Sequence, residues 1–458
     1  MFRKIQHIHL VGIGGSGMNG IAEVLLNLGY KVSGSDMNET EVIQRLRNAG
    51  GHITIGHSSS NIKGAQVVVI SSAVSAHNIE VVAARSASIP VIQRAEMLAE
   101  LMRLKYGIAI AGAHGKTTTT SMISSILASA GLDPTVVIGG KLNSLGSNAK
   151  LGQSEFLVAE ADESDGSFLK LSPTIAIVTN IDAEHLDYYH DIENIRKTFL
   201  NFINKVPFYG VSILCADDAN IRSILHAVEK RYITYGINNR ADITVADIEM
   251  MSGRSKFRVL YKGMDMGKFE LSLPGIHNIS NALSGIGVAV ELDINIDEVK
   301  KALRDFSGVE RRFQIVGTID PQDILVVDDY GHHPTEIKAT LSAAKAGWGR
   351  RTVVLFQPHR YTRTRDLMNE FAVSFGNADL LVVTDIYPAG EKPVEGVSAE
   401  KLFNTIIEHG HKNVLFVPDK TTIPEKVKEL MRPGDMVITL GAGDIWKVGR
   451  EIIGKLES

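Results

Sequence analysis

Residues 107–120, GIAIAGAHGKTTTT, run an apolar strand into a glycine-bearing turn and out again into a helix. Gly112, Gly115, Lys116 and Thr117 spell G-x-x-G-K-T, a variant phosphate loop in which Ile110 stands where the commoner G-x-x-x-x-G-K-[ST] form has its first glycine. In such a loop backbone amides surround phosphate oxygens, the lysine reaches the β and γ oxygens, and the hydroxyl after it binds Mg2+. A strand, phosphate loop and helix in that order predict an α/β fold on a parallel sheet.

The same grammar recurs upstream. In HLVGIGGSGMNG, residues 9–20, Gly12, Gly14 and Gly17 have G-x-G-x-x-G spacing after a strand and before a helix, and Asp36 ends the next β-rich run. A tight turn, a close backbone approach and a helix N-terminus then face a pyrophosphate. Taken alone, this loop suggests a nicotinamide dehydrogenase. A triphosphate loop in the same chain argues against that, because hydride transfer has no use for ATP. The pair of loops points to ATP-driven work on a nucleotide-linked substrate.

Around these loops, apolar runs (HIHLV, KVSG, QVVVIS, IPVIQ) alternate with helical stretches up to Met102, and EFLVAE, TIAIVTN and VSILC continue the pattern beyond residue 107. DITVADI, KFRVLYK and GKFELSL read as antiparallel strands inserted before a helix that starts near His277. DILVVDDY, TVVLF, LLVVTDIY, NVLFVP and DMVITLG form a third alternation after Arg311. Three α/β domains are expected, at 1–106, 107–310 and 311–458.

A chain of 458 residues with 44% apolar residues can bury three cores. With 48 basic against 52 acidic residues and a net charge of −4, there is no cationic field for a nucleic acid polymer or an anionic membrane. No apolar run is long enough to enter a bilayer. One cysteine, Cys215, excludes an intrachain disulfide and fits a reducing compartment, so a cytoplasmic location is expected.

Polar clusters close several of the β-rich runs. EADESD (160–165) and TNIDAEHLDYY (179–189) offer Glu160 and His185 as metal candidates; with Thr117, the carboxylate suits Mg2+, whereas a histidine is an unusual donor for it. DDYGHHPTE (328–336) brings Asp328, Asp329, Tyr330, His332 and His333, which could be a second metal site. FQPHRYTRTRD brings His359, Arg360, Arg363 and Arg365, either an anion clamp or a solvated helix face. Arg311 and Arg312 stand at a domain junction, and Asn278 and Asn281 in HNISNA could read an adenine edge or cap their helix.

Taken in order, GIGGSGM, GAHGKTTTT, EADESD, TNIDAEHLD, HNISNA, RRF, DDYGHHPTE, PHRYTRT and LGAGDIW resemble the Mur ligase family, from His9 to Trp446. The resemblance implies a Rossmann-like N-terminal UDP-sugar domain, a central P-loop ATPase domain and a Rossmann-like C-terminal amino-acid domain. It implies ATP with Mg2+, or Mn2+ in its place, and UDP-N-acetylmuramate and L-alanine as substrates. By motif, Gly14, Ser16, Gly17 and Met18 would contact the uridine nucleotide, with Asp36 and Ser71 beside them. Gly112, Gly115, Lys116, Thr117 and Thr118 would hold the ATP phosphates, Thr117, Glu160 and His185 the metals, and Asn278 and Asn281 adenine. Arg312 would face the phosphates, Asp329 the ribose, and Tyr330, His332, His359, Arg360 and Arg363 the amino acid, with His332 or His359 as the base. Ala113 stands where the family pattern has threonine. A recycling ligase of the same family, an oxidoreductase and an ATP-switched binding module are the rival readings.

Overall fold

The computed structural model of the chain describes residues 5–71, 73–142 and 147–457. Among them the strands form three sheets. In the first, β1 (His7–Val11), β2 (Lys31–Asp36), β3 (His52–Ile55), β4 (Val67–Ile70) and β5 (Val91–Gln93) lie in the order β3-β2-β1-β4-β5, all parallel. All of β1 is buried, as expected of a parallel strand covered on both faces. Its neighbours β2 and β4 lie on opposite sides, so the chain reverses direction across the sheet at β1. That switch point is where ligands bind in open α/β sheets, and Gly12–Gly17 occupies it.

The second sheet has ten strands: β6 (Tyr106–Ala111), β7 (Thr135–Leu142), β8 (Ser147–Lys150), β9 (Phe156–Glu160), β10 (Ile175–Val178), β11 (Val211–Cys215), β12 (Tyr232–Tyr235), β13 (Ile243–Met251), β14 (Arg254–Tyr261) and β15 (Met264–Leu271). Their order is β15-β14-β13-β12-β11-β10-β6-β9-β7-β8. β6 runs parallel between β10 and β9, so the phosphate loop also sits at a switch point, with EADESD leaving β9 and TNID leaving β10 on either side of it. DITVADI, KFRVLYK and GKFELSL extend this sheet at one edge, β13 joining β12 in parallel. At the other edge, β8 pairs antiparallel with β7.

The third sheet orders β16 (Gln314–Ile319), β17 (Ile324–Asp329), β18 (Thr352–Phe356), β19 (Leu380–Val383), β20 (Val414–Phe416) and β21 (Met436–Leu440) as β16-β17-β21-β18-β19-β20. Alternate residues bury opposite faces: Val327, Val354, Phe356, Ile438 and Leu440 enter one core, and Val326, Val353, Leu355 and Val437 the other. Asp329 and Phe356 both pair with Leu440, so the segments after β17, β18 and β21 emerge together at one edge.

By packing, the chain divides into two compact units. Met1–Asp247, Phe257–Glu270 and Ser280–Ser307 form one, and Ile248–Lys256, Leu271–Ile279 and Gly308–Ser458 the other.

Candidate functional site

In the first unit the glycine-rich turn is held from below. The amides of Gly12 and Ile13 donate to Ser35 O, and the Gly14 amide donates to Asp36 Oδ2 at 2.9 Å. Asp36 therefore braces the loop, while Met18 is buried at the start of the helix Ser16–Asn27. The Ser16 side chain lies outside the described residues. Arg94 lies over Gly17 so closely that a Cβ there would come within 2.5 Å of Nη1. The same guanidinium pairs with Asp162 at 2.7 Å. Burial works against the Asp162 charge, but Arg94 and Ser164 outweigh it and hold the carboxyl below its ordinary range.

These groups line a cleft of about 360 Å3. Gly17, Met18 and Ser71 come from the first sheet's loops, Lys116 and Glu160 from the second's, with Arg94 and Asp162 among them. One volume is thus open to both glycine loops. Sequence reasoning missed Arg94 and Asp162, whose partnership spans residues far apart in the chain.

The phosphate loop is clamped by TNID. His114 N donates to Asn180 Oδ1 (2.9 Å), and Thr179 Oγ1 and Asn180 Nδ2 donate to His114 O (2.6 and 3.0 Å). Gly112 has φ +133°, and a Cβ there would meet Thr179 Oγ1 at 2.1 Å, so only glycine fits. Gly115 caps the helix Lys116–Ser129 in the left-handed region, and Asn281 packs against it, beside the loop. Asn278 is buried and donates its Nδ2 to Pro274 O at 2.7 Å, one turn earlier. Thr118 is buried in the first turn after the loop, and Thr117 is partly exposed there.

Lys116 Nζ donates to Gly112 O (2.6 Å), Ala113 O (3.2 Å) and Glu163 Oε1 (2.8 Å). Burial disfavours its charge, but Glu163 more than compensates and holds the ammonium above its ordinary pKa. Burial pushes the Glu163 carboxyl up to about 7, against the pull of Lys116. Glu163, Glu184 and His185 each bring a ligand atom within 4.8 Å of the others. Glu163 Oε2 and Glu160 Oε1 are buried without a hydrogen-bond partner. Buried orphan carboxylate oxygens are costly unless a cation meets them, so this donor set fits a divalent ion such as Mg2+. Of the expected metal residues, His185 joins the trio and Glu160 lines the adjoining cleft; Glu184, next to His185, and Glu163, in the same EADESD run as Glu160, were missed.

In the second unit, Asp329 accepts from Phe313 N (2.8 Å) and Gly331 N (2.7 Å), and burial raises its pKa to about 6. It fixes the turns that carry the neighbouring groups. Arg311 donates to Asp328 (2.9 Å) and to Gly441 O (2.6 Å), tying RRF to the LGAGDIW turn. Arg312 reaches Glu336 at 3.5 Å and covers the Tyr330 ring. Asp328 is also bonded to Thr439, and His333 caps the helix Pro334–Trp348 through Nδ1.

The amino-acid candidates converge where β17 and β18 end. The His332 and His359 rings are 5.8 Å apart, and Tyr387, which sequence reasoning missed, stacks on His359 at 5.5 Å and 8°. Arg363 Nη1 donates to His359 Nδ1 at 3.3 Å. Burial first, then the charges of His332, Arg363 and Arg360, pushes His359 down to about 3. It is a neutral acceptor that orients Arg363. His332 Nδ1 donates to Tyr330 O (3.1 Å), which in the neutral ring leaves Nε2 as the basic nitrogen. Arg360 opens the helix Tyr361–Asp366 at φ +70°. Arg363 belongs to this cluster, whereas Arg365 pairs with its neighbour Asp366 at the surface.

Three family models match in sequence order: the Mur ligase family catalytic domain over residues 7–106, the Mur ligase middle domain over 110–289, and the Mur ligase glutamate ligase domain over 311–443. The UDP-N-acetylmuramate–L-alanine ligase of Geotalea uraniireducens is 59% identical, over all of this chain and 99% of that protein. Its counterpart in Geobacter sulfurreducens is 58% identical over the same shares. Among solved structures, the UDP-N-acetylmuramate-alanine ligase of Thermotoga maritima matches with a TM-score of 0.83 at 30% identity, covering 98% of each chain. A murein peptide ligase from Psychrobacter arcticus matches with a TM-score of 0.73 at 25% identity, covering 99% of each.

Proposed function

The chain belongs to the Mur ligase family, and from that premise we propose that it is an ATP-dependent ligase joining L-alanine to the carboxylate of UDP-N-acetylmuramate for peptidoglycan synthesis. The observation that carries this reading is the single cleft shared by the Gly17–Met18 loop and Lys116. A UDP-sugar on the first loop and a triphosphate on the second would bring a carboxylate and a γ-phosphate together. Full-length identity of 55% or more to L-alanine ligases supports the choice of amine.

We read residues 1–106 as the UDP-sugar domain, 107–310 as the ATP domain and 311–458 as the amino-acid domain; the edges of the three family matches support this. The muramate carboxylate attacks the γ-phosphate to give an acyl phosphate and ADP. The alanine amine then adds to that carbonyl, and the tetrahedral intermediate expels phosphate. Catalysis is mostly positioning and charge neutralisation. Lys116 offsets charge on the transferring group, and Arg94, over Gly17, meets the anionic sugar nucleotide. A divalent cation, held by Glu160, His185 and their neighbours, supplies further charge neutralisation when bound. Arg363, oriented by His359, holds the alanine carboxylate, and His332 Nε2 takes the ammonium proton. Because ATP and UDP-sugars are cytoplasmic metabolites, the reaction belongs in the cytoplasm.

The likeness to a murein peptide ligase gives the rival its weight. ATP consumption with UDP-N-acetylmuramate should depend on L-alanine, and mass spectrometry should find UDP-N-acetylmuramoyl-L-alanine. Preference for an L-alanyl tripeptide in competition would make the chain a recycling ligase instead.

A further inference from the structure

Lys116 raises a question of donor count. An ammonium has three N–H donors. Here they meet three protein acceptors, Gly112 O, Ala113 O and Glu163 Oε1. A phosphate oxygen can gain a Lys116 hydrogen bond only by displacing one of them. The two carbonyls belong to the loop backbone, which Thr179 and Asn180 clamp in place. Glu163 is a side chain, and it has somewhere else to go: it is 4% exposed, its Oε2 is buried without a partner, and its carboxylate lies within ligand distance of Glu184 and His185.

We infer that Glu163 is a two-position carboxylate: it holds Lys116 within the phosphate loop, and when a nucleotide phosphate takes the lysine it moves over to complete the cation site with Glu184 and His185. The inference rests on the ATP-ligase reading and adds a coupling to it. Nucleotide phosphates free a carboxylate for the cation, and a cation that draws Glu163 away frees Lys116 for phosphates, so each ligand raises affinity for the other by the same factor. Glu163 is a positioning residue in this scheme and need not touch the transferred group.

Calorimetric binding of a nonhydrolysable ATP analogue to the full chain, with EDTA and with Mg2+, tests this without turnover. Glu163→Gln should tighten metal-free binding by about tenfold, since a neutral amide competes for Lys116 more weakly than a carboxylate does. It should also shrink the affinity gained on adding Mg2+ by about tenfold or more. Loss of a negative charge could by itself favour an anion, so the same change is made in Lys116→Ala, where the metal-free gain should vanish. An undiminished gain in that background overturns the inference, because Glu163 would then act by repulsion alone. Equal weakening with and without Mg2+, together with a lower melting temperature, overturns it in favour of a purely structural role. Glu163→Ala carries the same expectations if the glutamine variant does not fold. Wild type that binds no analogue under either condition overturns the ATP-ligase reading first, and this inference with it.

Discussion

Glu80 is fully buried and yet anionic, and its reason is local chemistry. Its carboxylate accepts from Ser35 Oγ and Asn61 Nδ2 (both 2.6 Å), Ser58 N (3.2 Å) and His9 Nε2 (3.4 Å). Burial alone would raise its pKa; the donors from His9, Ser35, Asn61 and Ser58 outweigh burial and lower it to about 2. The folded value lies below the unfolded one, so this contribution is full above pH ~4.5 and disappears as pH falls towards 2, amounting to about 3 kcal/mol. Glu80→Gln should therefore lose roughly that much stability at pH 7 and show a flatter acid limb in urea melts taken from pH 5 to 2. Parallel acid limbs in variant and wild type would show that the Glu80 charge does not hold β1 and β2 together. Nothing in NIEVV singled this glutamate out, because its donors come from three separate stretches of the chain, at His9, Ser35 and Ser58–Asn61.

The decisive element is the strand, loop and helix, used at β1 and again at β6. Its glycines serve different contacts. Gly112 must be left-handed and clear of Thr179, whereas Gly17 must let Arg94 lie across the helix start. Valine at Gly17 would push the guanidinium off Asp162 and into the cleft. Gly17→Val should fold, because Arg94 is a flexible side chain, but it should abolish the rise in melting temperature that UDP-N-acetylmuramate gives by mass action. NAD should give wild type no such rise. A normal shift in the variant would remove the first loop from the sugar-nucleotide site. At this scale the apolar runs were readable as parallel strands, since strands buried on both faces need no alternation. β7 and β8 were not read, and the pairing of β7 with β9 and of β8 with β7 depends on contacts beyond the local pattern.

Across the whole molecule, chemistry is divided between separately packed units. The first carries both glycine loops and the second carries the His359–Arg363 cluster. A substitution confined to that cluster should affect one substrate. Arg363→Ala should raise the KM for L-alanine by roughly tenfold or more, the worth of a charge-assisted carboxylate contact, and leave the KM values for ATP and UDP-N-acetylmuramate within about twofold. Equal losses for all three substrates would mean that Arg363 supports the fold instead of the amino acid.

The chain's order alone determined much of this. Local periodicity marks the strands that surround the loops, and fixed spacing marks Gly12 to Gly17 and Gly112 to Thr117, because a turn that cradles phosphate is built from consecutive backbone amides. Nearby polar runs also offer His332, His359 and Arg363 as candidates. Tertiary structure decided which partners these residues meet. Glu163 faces Lys116 because β9 lies beside β6, Arg94 reaches Asp162 across the cleft, and Tyr387 stacks on His359 where the chain beyond β19 runs alongside it. Those contacts join residues tens of positions apart, and their energies depend on burial and donor count, which arise only once the sheets are assembled.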